Sequence, residues 1–110
     1  MGLVYHLMPP ADWDRFLASG EYKPDSLASE GFIHCSTREQ VLDTARRFFG
    51  HLPDLLALEI PERAVKSILK YEAAESGGLF PHLYGPLSLH QVETLHMLVR
   101  KPDGSWEWVR

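Results

Sequence analysis

Proline and glycine cut this 110-residue chain into short segments, and that punctuation constrains the fold more than any other feature. Pro9-Pro10 ends the loosely alternating "LVYHL" (3–7), which predicts a first strand. In "ADWDRFLAS", Trp13, Phe16 and Leu17 fall at helical spacing, with Gly20 as the stop. A polar loop, "EYKPDSLASE", leads into the strand-like "GFIHCS" (31–36). "STREQVLDTARRFFG" predicts a second helix. Ser36 or Thr37 caps it, Glu39 or Gln40 completes a capping box, Val41, Ala45 and Phe48 share a face, and Gly50 ends the run. "DLLALEI" (54–60) is too short for a typical helix and reads as a buried strand, and "AVKSILKYE" (64–72) as a further strand. "GGLFPHLYGPLSL" (77–89), with three glycines and two prolines, is expected to be irregular or to run along a sheet edge. Asp103-Gly104 marks a hairpin turn between "VETLHMLVR" and "SWEWVR". Strands with two early helices make an α+β domain, a single one over residues 1–110.

An apolar fraction of 45% and a charged fraction of 24% suit a globular chain. The net charge of −4 gives no overall attraction to nucleic-acid phosphate or to an anionic membrane. One cysteine, Cys35, excludes an internal disulfide and a cysteine-based zinc cluster. No stretch approaches the ~20 apolar residues of a membrane span, and "MGLVYHL" lacks the features of a signal peptide. It opens Met-Gly like a myristoylation site, but position 6 is His6 where Ser or Thr is required. A cytoplasmic protein is the simplest reading. Nothing in the sequence sets the oligomeric state, and a monomer is compatible with it.

Three histidines fall in apolar strand-like surroundings: His6, His34 and His82. Side chains alternate along a strand, so Phe32, His34 and Ser36 share one face of "GFIHCS" while Ile33 and Cys35 take the other. Phe80, His82 and Tyr84 share a face if "FPHLYG" is extended. A single strand histidine is usually a packed residue satisfied by backbone. Three of them each need buried partners, and one polar cleft would satisfy all three together. His51, His90 and His96 read as helix-end, loop and surface residues without a functional part.

Three imidazoles suit a catalytic zinc, general acid–base chemistry, or hydrogen bonding to the hydroxyls and phosphates of a nucleotide with aromatic rings stacking on it. The close H-x-H or H-E-x-x-H spacing of many zinc sites is missing, so no metal is expected. "ESGGLF" lacks the lysine of a P-loop, and neither G-x-G-x-x-G nor G-x-S-x-G occurs. Cys35 reads as a small buried apolar residue, with a cysteine–histidine nucleophile as the sharper alternative.

The segments "VYHL", "YKPDSLASEGFIHCSTREQV" and "LFPHLYGPL", in this order over nearly the whole chain, resemble the bacterial family known as domain of unknown function 952. The resemblance implies a fold similar to that of the ADP-ribosyltransferases: a small split β-sheet around a cleft, with two helices packed outside. It further implies that the cleft takes NAD, as a substrate, or an ADP-ribose derivative. His6 matches the position that binds the adenosine-side ribose, and His34 with Ser36 the position that places the nicotinamide ribose. Many transferases of that fold finish with a glutamate, and here Glu72, Glu93 and Glu107 stand in no motif that marks one of them. "FPHLYG" offers Phe80, His82 and Tyr84 instead. Relatives of that fold without the glutamate act on RNA phosphates, against which the acidic balance argues.

His34, His82 and Ser36 are thus the catalytic candidates. His6, Phe32, Glu30, Ser26, Phe80 and Tyr84 are the candidates for holding the nucleotide. Ser26, Ser29 and Glu30 equally read as a solvated turn, with Glu30 the carboxylate able to orient His34 or His6. Arg38 reads as a diphosphate contact or a surface residue. The expected function is NAD or ADP-ribose binding with ADP-ribosyl transfer. The alternatives are a non-enzymatic nucleotide-binding or regulatory module, a three-histidine metalloenzyme, and a structural protein with packed histidines.

Overall fold

The computed structural model describes Gly2 to Val109. Twelve regular elements follow in order: β1 (Leu3–Met8), α1 (Pro10–Ser19), β2 (Glu21–Tyr22), α2 (Asp25–Ser29), β3 (Ile33–His34), α3 (Val41–Phe48), β4 (Asp54–Pro61), β5 (Leu69–Ala73), β6 (Leu79–Leu83), β7 (Leu87–Ser88), β8 (Thr94–Arg100) and β9 (Trp106–Trp108). The fold class is α+β, as expected. The myristoylation question at Met1 and the final residue of "SWEWVR", Arg110, lie outside the described residues.

The strands form a four-stranded antiparallel sheet, β1-β4-β8-β9, a three-stranded one, β3-β6-β5, and a short β2-β7 pair. β4 is apolar on both faces because both faces are covered. Leu56, Leu58 and Ile60 join a core with Val4, Met8 and Phe16. Leu55 and Ala57 join a second core with Tyr5, Val41, Ala45 and Leu98, beneath α3. α1 starts on Pro10, whose fixed φ suits the first helical position. It ends at Gly20, which adopts φ 78° and donates its N–H to the Phe16 carbonyl. Thr37 donates its N–H to Gln40 Oε1 at 2.9 Å, so Thr37 and Gln40 are the pair that opens the α3 segment through one 3-10 turn. Gly104 (φ 89°) closes the β8–β9 hairpin where Asp103-Gly104 was expected to turn.

Several segments depart from the sequence reading. The loop 21–30 contains β2 and α2, elements too short for a periodic signal. The strand expected over 64–72 starts only at Leu69, because 62–64 form a 3-10 turn and 65–68 a second turn closed by the Ile68 N–H on the Val65 carbonyl. The segment expected at an edge supplies β6, the central strand of its sheet. Pro81 is tolerated there because its carbonyl, accepting the Cys35 N–H at 3.0 Å, and its nitrogen face the same side, where β3 stops after two residues. His96, expected on the surface, is largely covered within β8 and bonds Glu59 at 2.8 Å. No helix among the described residues is long and apolar enough to cross a membrane.

Candidate functional site

The site is made by a sheet that comes apart. Residues 33–36 run between β6 and β1: Cys35 donates to Pro81, and the next residue, Ser36, exchanges both backbone bonds with Tyr5 at 2.8 Å. In an antiparallel ladder the following rung would join Leu7 to His34. It is not formed. The His34 carbonyl accepts instead from the side chain of His6, whose Nδ1 lies 2.6 Å away. β1 and β3 diverge from that point, and the gap becomes a cleft of about 690 Å³.

His6 is buried, and both its ring nitrogens are used. A carbonyl only accepts, so Nδ1 carries the proton, and Nε2 accepts from the Tyr22 hydroxyl at 2.7 Å. Burial pulls its pKa down to about 4, against the pull of the His34 carbonyl, so the ring is neutral at pH 7. Burial also pushes the Tyr22 hydroxyl up, keeping its proton on the bond to His6.

His34 and His82 are opposite one another in the β3–β6 register. Their rings meet edge to face with centroids 5.5 Å apart. Contrary to the expectation of a buried strand, the His34 side chain is 56% exposed and donates Nε2–H to Glu30 at 3.1 Å. His82 is different. Its side chain is 14% exposed, Phe32 stacks on it at 3.9 Å and 19°, and its Nδ1 lies 2.7 Å from Glu72 Oε1. Tyr84 donates to the same oxygen at 2.6 Å. These bonds from Tyr84 and His82 hold the Glu72 carboxyl below its usual range.

His6, Ser26, Glu30, His34, Ser36, Phe80 and His82 all line the cleft. Phe32 and Tyr84 are not in the lining and support it from behind, through His82 and Glu72. Ser26 donates to the Phe32 carbonyl at 2.8 Å, tying the loop down. Ser36 is buried with its hydroxyl 3.1 Å from that of Thr44. Arg38 is not in the lining: its guanidinium lies 4.2 Å over the Trp108 ring and reaches the hydroxyl of Tyr5, which is.

Sequence reasoning missed Tyr22 and Arg47. Arg47 is the only lysine or arginine among the described residues of the lining, where Asp12, Glu30 and Glu75 supply negative charge. Glu72 was identified only as one of three unmarked glutamates. The signal for it, a diagonal β5–β6 contact, depends on a strand register that sequence did not specify.

Two alternatives that the sequence left open find no support in the geometry. A three-imidazole metal centre is not formed, because His6 has no free nitrogen and no group of three potential ligands converges among the described residues. Cys35 is buried, and burial pushes its thiol up, which favours the protonated, unreactive form over a thiolate.

A family model described as "Protein of unknown function (DUF952)" matches residues 7–95. The crystal structure of protein CC0527 from Caulobacter crescentus is similar to this fold, with a TM-score of 0.86 and 33% identity over 96% of this chain and 93% of that one. Its solution NMR structure gives a TM-score of 0.82 at 34% identity, over 96% and 91%. No curated protein matches the chain.

Proposed function

The chain belongs to the DUF952 family, and from that premise and the geometry of its cleft we propose that it binds NAD, or a related ADP-ribose compound, between its two sheets and transfers the ADP-ribosyl group. The observation that carries this reading is the convergence of His6, His34 and His82, from three separate strands, on one hollow. Its volume of about 690 Å³ falls within the range of small-molecule sites. The split sheet is read as the ADP-ribosyltransferase kind, with His6 at its first strand.

The lining sorts into complementary parts. Phe80 and the exposed Phe48 supply aromatic surface for a base. Arg47 supplies a cation for a diphosphate. Asp12, Glu30 and Glu75 suit the positive nicotinamide ring of NAD better than a triphosphate tail. His6 has no free nitrogen, so it serves through Tyr22, whose hydroxyl oxygen keeps a lone pair for a ribose hydroxyl. All these residues come from one chain, so a monomer suffices. A cytoplasmic setting fits the single unpaired thiol.

A non-enzymatic nucleotide-binding module is the second reading. One observation favours it: Glu30 and Glu72, the carboxylates beside His34 and His82, are already bonded to them rather than left for a cationic sugar. Calorimetry and NMR titration with NAD and with ADP-ribose decide. Millimolar or tighter binding that perturbs His34 and His82 is expected, and no response at millimolar ligand overturns the nucleotide reading. Binding without release of nicotinamide selects the module.

A further inference from the structure

We propose that His82 and Glu72 form a general-base dyad, with His82 as catalytic base and Glu72 as positioning residue, so that the group accepting the ADP-ribosyl unit is an O–H nucleophile. The proposal rests on the nucleotide reading of the cleft and adds the class of acceptor to it.

The tautomer follows from the partners. Glu72 Oε1 already accepts from the Tyr84 hydroxyl, and an ionised carboxylate can only accept, so His82 presents Nδ1–H to it. Nε2 is left with its lone pair and has no hydrogen-bond partner among the described residues. This is the arrangement of a carboxylate-backed base, in which the third group fixes both ring orientation and tautomer.

His34 carries a carboxylate as well but is held less firmly. It lies mostly in solvent, and its Glu30 partner is half exposed. His82 is covered, stacked on Phe32 and held across β5 and β6 by Glu72 and Tyr84. Preorganisation of this kind is what makes a proton acceptor effective. Lys70, opposite His82 in the register, places its ammonium 5.0 Å over the Tyr84 ring and so completes the charged surroundings with Glu72, His34 and Glu30.

In the proposed step the bond between ribose C1′ and the pyridinium nitrogen breaks, and its electron pair returns to nitrogen, giving neutral nicotinamide. A lone pair of the acceptor oxygen forms the new C1′–O bond. Its proton passes to His82 Nε2, and the imidazolium is stabilised through Nδ1–H by Glu72. With water as acceptor the products are nicotinamide, ADP-ribose and one proton released to solvent.

Water is the probe. The full chain is incubated with NAD, nicotinamide release is followed, NAD binding is measured by calorimetry, and imidazole ¹⁵N NMR reports the His82 tautomer. Wild type is expected to release nicotinamide and to show the Nδ1–H tautomer. H82A is expected to slow release about 10²-fold or more with NAD affinity within about twofold. E72Q is expected to slow it about 10-fold, and E72A to admit the Nε2–H tautomer. Should H82A fail to fold, the half-exposed Glu72 variants carry the test. NAD binding without nicotinamide release overturns the dyad and leaves the nucleotide reading standing. An Nε2–H tautomer in free wild type overturns the dyad whatever NAD does. Absence of NAD binding removes both.

Discussion

The Nδ1 of His6 lies 2.6 Å from the carbonyl oxygen of His34, in the place where a backbone rung between β1 and β3 would otherwise form. A side chain thus ends the pairing of two strands and satisfies the carbonyl that the separation would orphan. The cleft exists because the sheet splits there, so the residue that shapes the site is itself closed to acid–base chemistry. The division of labour is therefore sharp. His6 holds the opening, and the β3–β6 pair of imidazoles faces whatever enters.

This geometry makes stability depend on pH with a definite sign. In the unfolded chain His6 takes a proton near the ordinary 6.5, but in the folded protein only near pH 4. Between those values the unfolded state binds the extra proton, so stability is complete above about pH 6.5 and falls as pH drops toward 4. The loss from this group alone is about 3 kcal/mol. Urea unfolding between pH 7.5 and 4 checks it. H6Q should start less stable, by about 1–3 kcal/mol for the disturbed buried bonds, and show a flatter slope in that window. Equal slopes would contradict the assignment.

Cys35 should behave as core. Its thiol is buried, and burial holds the proton on sulfur. A disulfide reagent is expected to modify it only as fast as the protein opens, and fully at once in denaturant. Rapid stoichiometric modification of the native protein would show an accessible thiolate instead.

The legible parts of the chain were those that local rules determine. The helix after Thr37, the doubly buried run 54–60 and the Asp103-Gly104 turn follow from capping, periodicity and φ > 0 preferences within a few residues. What escaped depends on pairing at a distance. β6 reads as an edge because of Pro81, yet it is central, since β3 is too short to need the missing N–H. The alternation in "GFIHCS" put Phe32, His34 and Ser36 on one face, of which His34 and Ser36 line the cleft together with Cys35 from the other face, and it could not show that His34 is exposed. His96 looked like a surface residue because its partner Glu59, like Glu72 for His82, comes from a neighbouring strand whose register no local signal fixes.

Arg38 and Arg47, on either side of the start of α3, should separate cleanly. Arg38 stacks on Trp108 and donates to the hydroxyl of the lining residue Tyr5 without itself joining the cleft lining, whereas Arg47 lies in the lining and reaches Ser76 at 3.3 Å. R38A is expected to cost about 1 kcal/mol of stability through the lost cation–π contact and to leave NAD affinity unchanged. R47A is expected to weaken NAD about 10-fold or more, the worth of a charged hydrogen bond, with little change in unfolding. Calorimetry and denaturant titration on both variants check this. An R38A protein that loses NAD affinity, or an R47A protein that keeps it, would relocate the diphosphate.

Phe32 offers the last test, because it touches His82 without lining the cleft. Its ring lies nearly parallel to the imidazole at 3.9 Å, and it also contacts His34 at 4.8 Å and Tyr84 at 5.4 Å. An aromatic pair of this kind contributes about 0.5–1.5 kcal/mol beyond its buried area. If the stack keeps His82 in its working orientation, that energy appears in the rate of proton transfer rather than in ligand affinity. F32A should then slow nicotinamide release by about 2- to 10-fold, with NAD affinity nearly unchanged and broadened His82 ring signals in NMR. F32L, which fills space without a π-face, should restore stability but not rate. A rate restored in F32L would mean that Phe32 acts by packing alone, and an unchanged rate in F32A would mean that Glu72 and Tyr84 orient His82 without it.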